Sequence, residues 1–169
     1  MTTNETEAAR PSLWPNENEL YSPYWEYARK REWRLQQCRT CGYYIHLPKP
    51  MCPRCSGSDI EWTMMSGRAT VSSYIIVHHF ARRAEDTFES DEPRPPSAQF
   101  DEPYVVAQVT PQEQDSVRVV CNILECDRDD VYVGMPVEVV FQDVTPEWTL
   151  PQFKPTSEAR LRSRGQSPR

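Results

Sequence analysis

The chain has 169 residues, of which 38% are hydrophobic and 26% charged, with a formal net charge of −6. That length allows one ordinary domain and a small appended module, and the negative balance argues against a general nucleic-acid binder, whose affinity comes from neutralising phosphates. No apolar run approaches the ~20 residues of a membrane span, and Met1-Thr-Thr-Asn-Glu-Thr-Glu7 lacks the basic and apolar regions of a secretory signal, so a cytoplasmic location is expected.

Residues 1–19 are polar, contain Pro11 and Pro15, and are expected to form a disordered or partner-dependent arm. A helix is expected over 20–35, with Ser22 as N-cap, Pro23 at the first helical position and Glu26 placed to pair with Lys30. Trp25, Ala28 and Leu35 would share one face of it, and Trp33 would point elsewhere. A short helix with large apolar groups on two sides packs one on its own protein and leaves the other to be buried, an external partner being one way.

Residues 36–66 carry the strongest signal in the chain. Cys38-x-x-Cys41 is followed after ten residues by Cys52-Pro53-x-Cys55. Two such pairs close four thiolates tetrahedrally around one metal, each pair forming a knuckle that turns both sulfurs to one side. Gly42 permits a left-handed turn after the first pair, and Pro53 pre-sets the second. Zinc is the expected ion, with rubredoxin-like iron as the alternative. A closed four-cysteine site has no open coordination position and therefore holds a fold together. His46, between the pairs, is expected to be an ordinary strand residue. Tyr43–Pro48 and Asp59–Met64 read as short strands, which makes the module a zinc ribbon.

Residues 67–153 read as all-β. Arg68–Phe80 is a β-rich run long enough to bend and serve two sheets. Tyr104–Thr110, Ser116–Leu124 and Pro136–Asp143 follow, the last two alternating apolar and polar residues. A short strand at Trp148–Leu150 and Gln152–Phe153 closes the set. Five strands after a small metal module suggest a Greek-key barrel of OB type. The intervening Ala81–Pro103 segment, with four prolines and many acids, reads as a long loop beside a binding surface. Residues 154–169 are basic and are expected to be a disordered tail. The fold class is thus mainly β: a helix, a four-cysteine ribbon and a five-stranded OB barrel.

Catalytic groups are hard to find. His78 and His79 are adjacent on a strand and point to opposite faces. The five glycines make no phosphate-binding pattern. Cys121 and Cys126 read as reduced thiols in or beside a strand. Seven basic residues against one acid between Arg29 and Arg54 form either a solvated face or a site for an anion.

The order of parts is itself distinctive: an aromatic helix, Cys-x-x-Cys-Gly…Cys-Pro-x-Cys, a Gly67-led strand, Pro103-Tyr-Val-Val, Val133-Gly-Met-Pro-Val137 and Pro151-x-Phe-x-Pro155. Over roughly residues 20–155 it resembles the zinc-ribbon/OB-fold proteins that accompany thiolase-like enzymes. The resemblance implies a non-catalytic accessory subunit with one structural Zn2+. Its partner would be a thiolase, a thiolase-like aldolase of steroid side-chain degradation, a hot-dog hydratase or an acyltransferase. By resemblance the OB domain sits over the partner's active site and helps hold an acyl-CoA, while the ribbon and helix dock. Trp25, Trp33, Trp148 and Phe153 are then the expected interface anchors, and Arg31, Arg34 and Lys49 the expected contacts to CoA phosphates. Two other readings stay open: single-stranded nucleic-acid binding through the OB groove and rubredoxin-like electron transfer.

Overall fold

The computed structural model describes residues 18–77 and 103–163. Helix α1 (Ser22–Arg29) comes first. A three-stranded antiparallel sheet follows, built from β1 (Arg34–Cys38), β2 (Tyr44–Ile45) and β3 (Ile60–Met64) in the order β2-β1-β3. The second sheet comprises β4 (Arg68–Val77), β5 (Tyr104–Pro111), β6 (Val119–Asn122), β7 (Pro136–Asp143) and β8 (Thr149–Pro155), ordered β6-β5-β4-β7-β8. Helix α2 (Ser157–Ser163) ends the described chain. His78, His79 and residues 81–102 of the expected loop lie outside the described residues.

The expected helix over 20–35 is shorter at both ends. At its start, Asn18 Oδ1 accepts from the Leu20 and Tyr21 amides, both at 3.0 Å, and Ser22 Oγ donates back to the Asn18 carbonyl. Tyr21, not Ser22, is the N-cap residue. At its end, Arg31 adopts φ 60°, the Arg31 amide donates to Ala28 O, and the Glu32 amide donates to Tyr27 O. These two bonds are a Schellman termination with arginine in the left-handed position that glycine usually takes. Residues 33–38 then alternate as a strand, which places Trp33 and Leu35 on one buried side.

β4 does serve two neighbours. It pairs with β7 through Arg68–Thr70 and with β5 along its length, with a register shift between Val71 and Ser73. Such a bulge bends a strand and sharpens its twist. The barrel does not close through a continuous ladder. Edge strands β6 and β8 meet through one parallel bridge, Ile123 to Phe153, and through side-chain amides. Gln152 Oε1 accepts from the Asn122 amide at 2.6 Å, and Gln152 Nε2 donates to Asn122 Oδ1 at 3.2 Å.

The ribbon and the OB domain share one core. Trp33, just before β1, and Leu35 from β1 join Val71, Val109, Val119, Met135, Val137 and Phe153 in a single cluster. Gln114 adds a polar clamp: its Oε1 accepts from the Tyr44 amide at 2.8 Å, and its Nε2 donates to Tyr44 O at 3.0 Å, so one side chain satisfies the free edge of β2. Gly67 makes the corner between modules. Its φ is +81°, and a Cβ there would stand 2.9 Å from Val139 Cγ1.

The tail is the other correction. Lys154 and Pro155 belong to β8, and Ser157–Ser163 is helical. Ala159 is fully buried in the common core, and Arg160 Nη2 bonds Glu125 Oε2 at 2.7 Å. Ala159, too small to make an apolar pattern, did not reveal this helix from composition.

Candidate metal centre and apolar groove

Cys38, Cys41, Cys52 and Cys55 converge, with all four Sγ atoms within 4.8 Å of one another. Cys38 Sγ and Cys55 Sγ are 3.6 Å apart, and Cys41 Sγ and Cys52 Sγ are 3.7 Å apart. A tetrahedron with metal–sulfur bonds of ~2.3 Å has edges of about 3.8 Å, so the spacing fits one tetrahedral ion. The knuckles are made by the backbone. Gly42 N donates to Cys38 O at 2.8 Å, with Gly42 at φ 71°, and Ser56 N donates to Cys52 O at 2.9 Å, with Ser56 at φ 60°. The second knuckle thus uses a serine where the first uses glycine. Burial opposes ionisation of Cys38, but donation from the Cys41 amide, the Cys55 thiol and the Thr40 amide prevails and brings its pKa to about 6. Donation from the Tyr43 amide favours a second thiolate at Cys41, but burial and the Cys55, Cys52 and Cys38 sulfurs outweigh it and push its pKa up to about 12, so the cluster by itself favours one thiolate and a cation is needed to draw out the rest. A small apolar cluster of Cys38, Ile45 and Cys52, with Tyr43 and Ile60 against it, surrounds the centre.

A second feature lies at the junction of all three parts. An apolar groove of about 790 Å³ runs between the first turns of α1, the loop after β2, and strands β5, β6 and β8. Tyr21, Tyr24 and Trp25 form one wall, His46–Pro48 the second, and Val119–Asn122 with Leu150–Gln152 the third. Arg118 is the one cation among its lining residues. Two lining side chains hold buried polar atoms with no hydrogen-bond partner among the described residues: Trp25 Nε1 and His46 Nδ1. The groove's third wall continues through Val120 and Val106 onto an exposed apolar face of the sheet. Ile75 is 62% exposed, Val120 63% and Leu47, on the groove loop, 57%. Ile75 lies opposite Val106 on β5, and Val120 on β6 lies opposite Gln108, two residues along β5 on the same face as Val106.

His46 sits in the bend after β2 and not in the strand expected for it. It does not belong to the sulfur cluster. Burial lowers its pKa from 6.5 to about 4. A depressed pKa adds stability that is fully present above pH 6.5 and is lost as the pH falls towards 4. Such a shift is worth about 3 kcal/mol. Urea midpoints measured from pH 7 to 4 should therefore fall more steeply for the wild type than for His46→Phe. Loss of metal in acid is common to both chains, so superimposable curves would refute the assignment.

The expected interface anchors are mostly internal. Trp33 is 2% exposed, Phe153 0% and Trp148 7%. Trp33 packs edge-to-face on Phe153 with ring centroids 5.1 Å apart, and Trp148 packs on Trp25 at 5.8 Å. The chain uses three of the four for its own core, because Trp33 at the start of β1 covers Phe153 on β8 and Trp25 of α1 covers Trp148. Trp25 alone is left part-exposed, on the groove. The expected phosphate contacts also separate. Arg31 donates to Phe141 O at 2.9 Å and pairs with Asp143, and Arg34 bonds Glu32 at 2.7 Å while lying over the Tyr27 ring. Lys49 is exposed, immediately follows the groove loop, and among the described residues its ammonium has no ion-pair partner. Sequence reasoning missed the groove itself. Its walls come from five separated stretches, none of which is periodic in a way that marks a cavity.

Two family profiles tile the chain in order: "ChsH2, rubredoxin-like zinc ribbon domain" over residues 25–61 and "ChsH2, C-terminal OB-fold domain" over 62–142. A solved structure titled "Ltp2-ChsH2(DUF35) aldolase" superposes with a TM-score of 0.69 at 33% identity, covering 84% of this chain and 98% of that one. The chain belongs to the ChsH2 (DUF35) family of zinc-ribbon/OB-fold proteins. Among curated members of the family, a "Probable enoyl-CoA hydratase alpha subunit" of Thermomonospora curvata is 32% identical over 92% of this chain and 43% of its own length. A "DUF35 domain-containing scaffold protein" of Methanocaldococcus jannaschii is 29% identical over 64% of this chain and 66% of its own. The chain thus spans less than half of the first relative and about two thirds of the second. No helix among the described residues is long and apolar enough to cross a membrane.

Proposed function

We propose that this chain is a non-catalytic subunit that docks on a thiolase-like or hydratase-type enzyme and helps to hold that enzyme's acyl-CoA. The observation that carries the reading is the apolar groove. It offers hydrocarbon walls, two unpaired buried polar atoms and one lining cation, which suits an acyl group with a thioester better than a polyanion. Lys49 at its edge is the cation we assign to the CoA phosphates, since Arg31 and Arg34 would have to abandon existing partners. The groove's low charge likewise weighs against single-stranded nucleic acid, whose binding depends on a basic track. The four-thiolate centre holds a Zn2+ that is structural. The names of the relatives, a hydratase alpha subunit, an aldolase complex and a scaffold, support a place in an acyl-CoA enzyme assembly.

The exposed Ile75–Val120 face is the docking surface in this reading, replacing the buried tryptophans. An exposed apolar face beside a ligand groove is the kind of patch that marks an interface. Affinity purification from the native host should recover a larger acyl-CoA enzyme together with one zinc per chain. The double variant Ile75→Asp/Val120→Asp should lose that partner by at least tenfold in recovery while its melting temperature changes little, because both sites are exposed. Recovery of the chain alone, or undiminished recovery with the double variant, would overturn the reading.

A further inference from the structure

The groove carries one cation that no described residue neutralises. Arg118, the sole Lys or Arg among the lining residues, donates from Nη1 to the main-chain carbonyls of Asp115 and Val117, the second at 2.8 Å. Among the described residues it makes no other hydrogen bond and no ion pair, so its Nε/Nη2 edge has no partner there. Other arginines spend that edge on an acid: Arg34 Nε on Glu32, Arg31 Nη2 on Asp143 and Arg160 Nη2 on Glu125. No Asp or Glu lines the groove. Burial holds His46 neutral by lowering its pKa to about 4, so one positive charge stands on otherwise uncharged walls. Arg118 immediately precedes β6, and burial alternates from Val117 to Asn122, which sets Arg118, Val120 and Asn122 in one outward row. All three line the groove. The row spans about 13 Å, at ~3.3 Å per residue. At its far end Asn122 is already satisfied by Val105 O and Gln152 Nε2. A ligand lying along the row meets an unpaired guanidinium at one end and apolar or satisfied groups beyond it.

We propose that Arg118 is a specificity-determining residue that binds a carboxylate on the groove's ligand, so that the favoured acyl group is one bearing a carboxylate of its own. The substrate class rests on the proposed function, which makes the ligand an acyl thioester; the carboxylate site itself does not. The planar Nε/Nη2 edge matches the two oxygens of a carboxylate, which it can hold through two parallel hydrogen bonds. One cation on uncharged walls balances one negative charge, whereas a phosphate dianion would remain half compensated. The two main-chain carbonyls on Nη1 fix the guanidinium before a ligand arrives, which reduces the ordering cost of binding. Val120, Val106 and Leu150 then offer the hydrocarbon part of the ligand an apolar bed next to its anionic end.

The test titrates the full chain with octanoate and, as its uncharged match, octan-1-ol, following the methyl resonances of Val120 and Leu150. Octanoate should bind the wild type about tenfold more tightly, the effect expected of charge-assisted hydrogen bonds. Arg118→Gln should remove that advantage and leave the octanol affinity as it was. Arg118→Lys, which keeps the charge without the planar edge, should fall between the two. Unchanged octanol binding also shows that the variant's groove is folded. Equal affinity of the wild type for the two probes, failure of both to bind, or a loss in Arg118→Gln shared by both would each overturn the site. A second arm compares octanoyl-CoA with the mono-CoA thioester of octanedioic acid. A loss in Arg118→Gln confined to the diacid thioester supports the substrate class, and an equal loss for both would place Arg118 on the CoA phosphates and overturn it. The octanoate arm needs neither a partner enzyme nor a thioester, so a failure there is separate from a failure of the proposed function.

Discussion

Cys38→Ser is expected to abolish metal retention and unfold the ribbon. Cys38 is fully buried, ends β1, and brings its sulfur within 3.6 Å of Cys55. Serine cannot supply a thiolate, and three ligands on so small a module leave an open, weaker site. Binding of a structural zinc ion contributes roughly 10 kcal/mol or more to folding, comparable with the whole stability of an ordinary domain at about 5–15 kcal/mol. The effect should not stop at the ribbon. Leu35 and Trp33, on the same strand as Cys38 or just before it, belong to the core shared with the OB sheet. Elemental analysis should give zinc near one per chain for the wild type and near zero for the variant, with loss of the cooperative thermal transition. Cys121→Ser is the matched control, since that thiol lies in the OB core beside Ala107 and outside the sulfur cluster. Full metal occupancy and an unchanged melting temperature in Cys38→Ser would refute the assignment of the centre.

Trp33→Ala should cost about 3–5 kcal/mol of stability, the range for emptying a large aromatic site in a core. Trp33 is among the largest fully enclosed side chains and touches the ring of Phe153 edge to face. Its carbonyl also accepts from Met65 N at 2.9 Å, which ties the start of the ribbon to its exit. The cavity would open where the two modules meet, so α1 and the ribbon should loosen together. The measurement is a urea titration, with the midpoint falling and the slope retained. It also decides between two roles for this residue. An interface anchor would lose partner affinity at unchanged stability, whereas a core keystone loses stability first. A midpoint within experimental error of wild type would show that Trp33 is not the keystone described.

How far the sequence could be read depended on where the decisive contacts lie. The convergence of the four cysteines was legible, because they sit in two short motifs that each turn both sulfurs to one side. Strand β7 was legible to the residue, because Val137, Val139 and Phe141 alternate between Pro136 and Asp143. The end of α1 was not. Its left-handed stop is an arginine, held by Schellman bonds and by Phe141 and Asp143 on β7, and no glycine announces it. A helix read from the sequence therefore runs on into β1 and sets Trp33 on a helix face.

That single displacement shows the general division. Local chemistry determined the four thiolates, the family of the fold, and the β character of residues 67–153, since each depends on neighbours in the chain. Tertiary structure alone decided which aromatics face inward. Trp33, Trp148 and Phe153 are chemically as fit for an interface as for a core, and only the packing of β1 and α1 on β8 buries them. It alone decided, too, that Tyr21, His46, Val120 and Leu150, far apart in the chain, line one groove: a cavity is a property of surfaces brought together by folding, and no stretch of residues encodes it by itself.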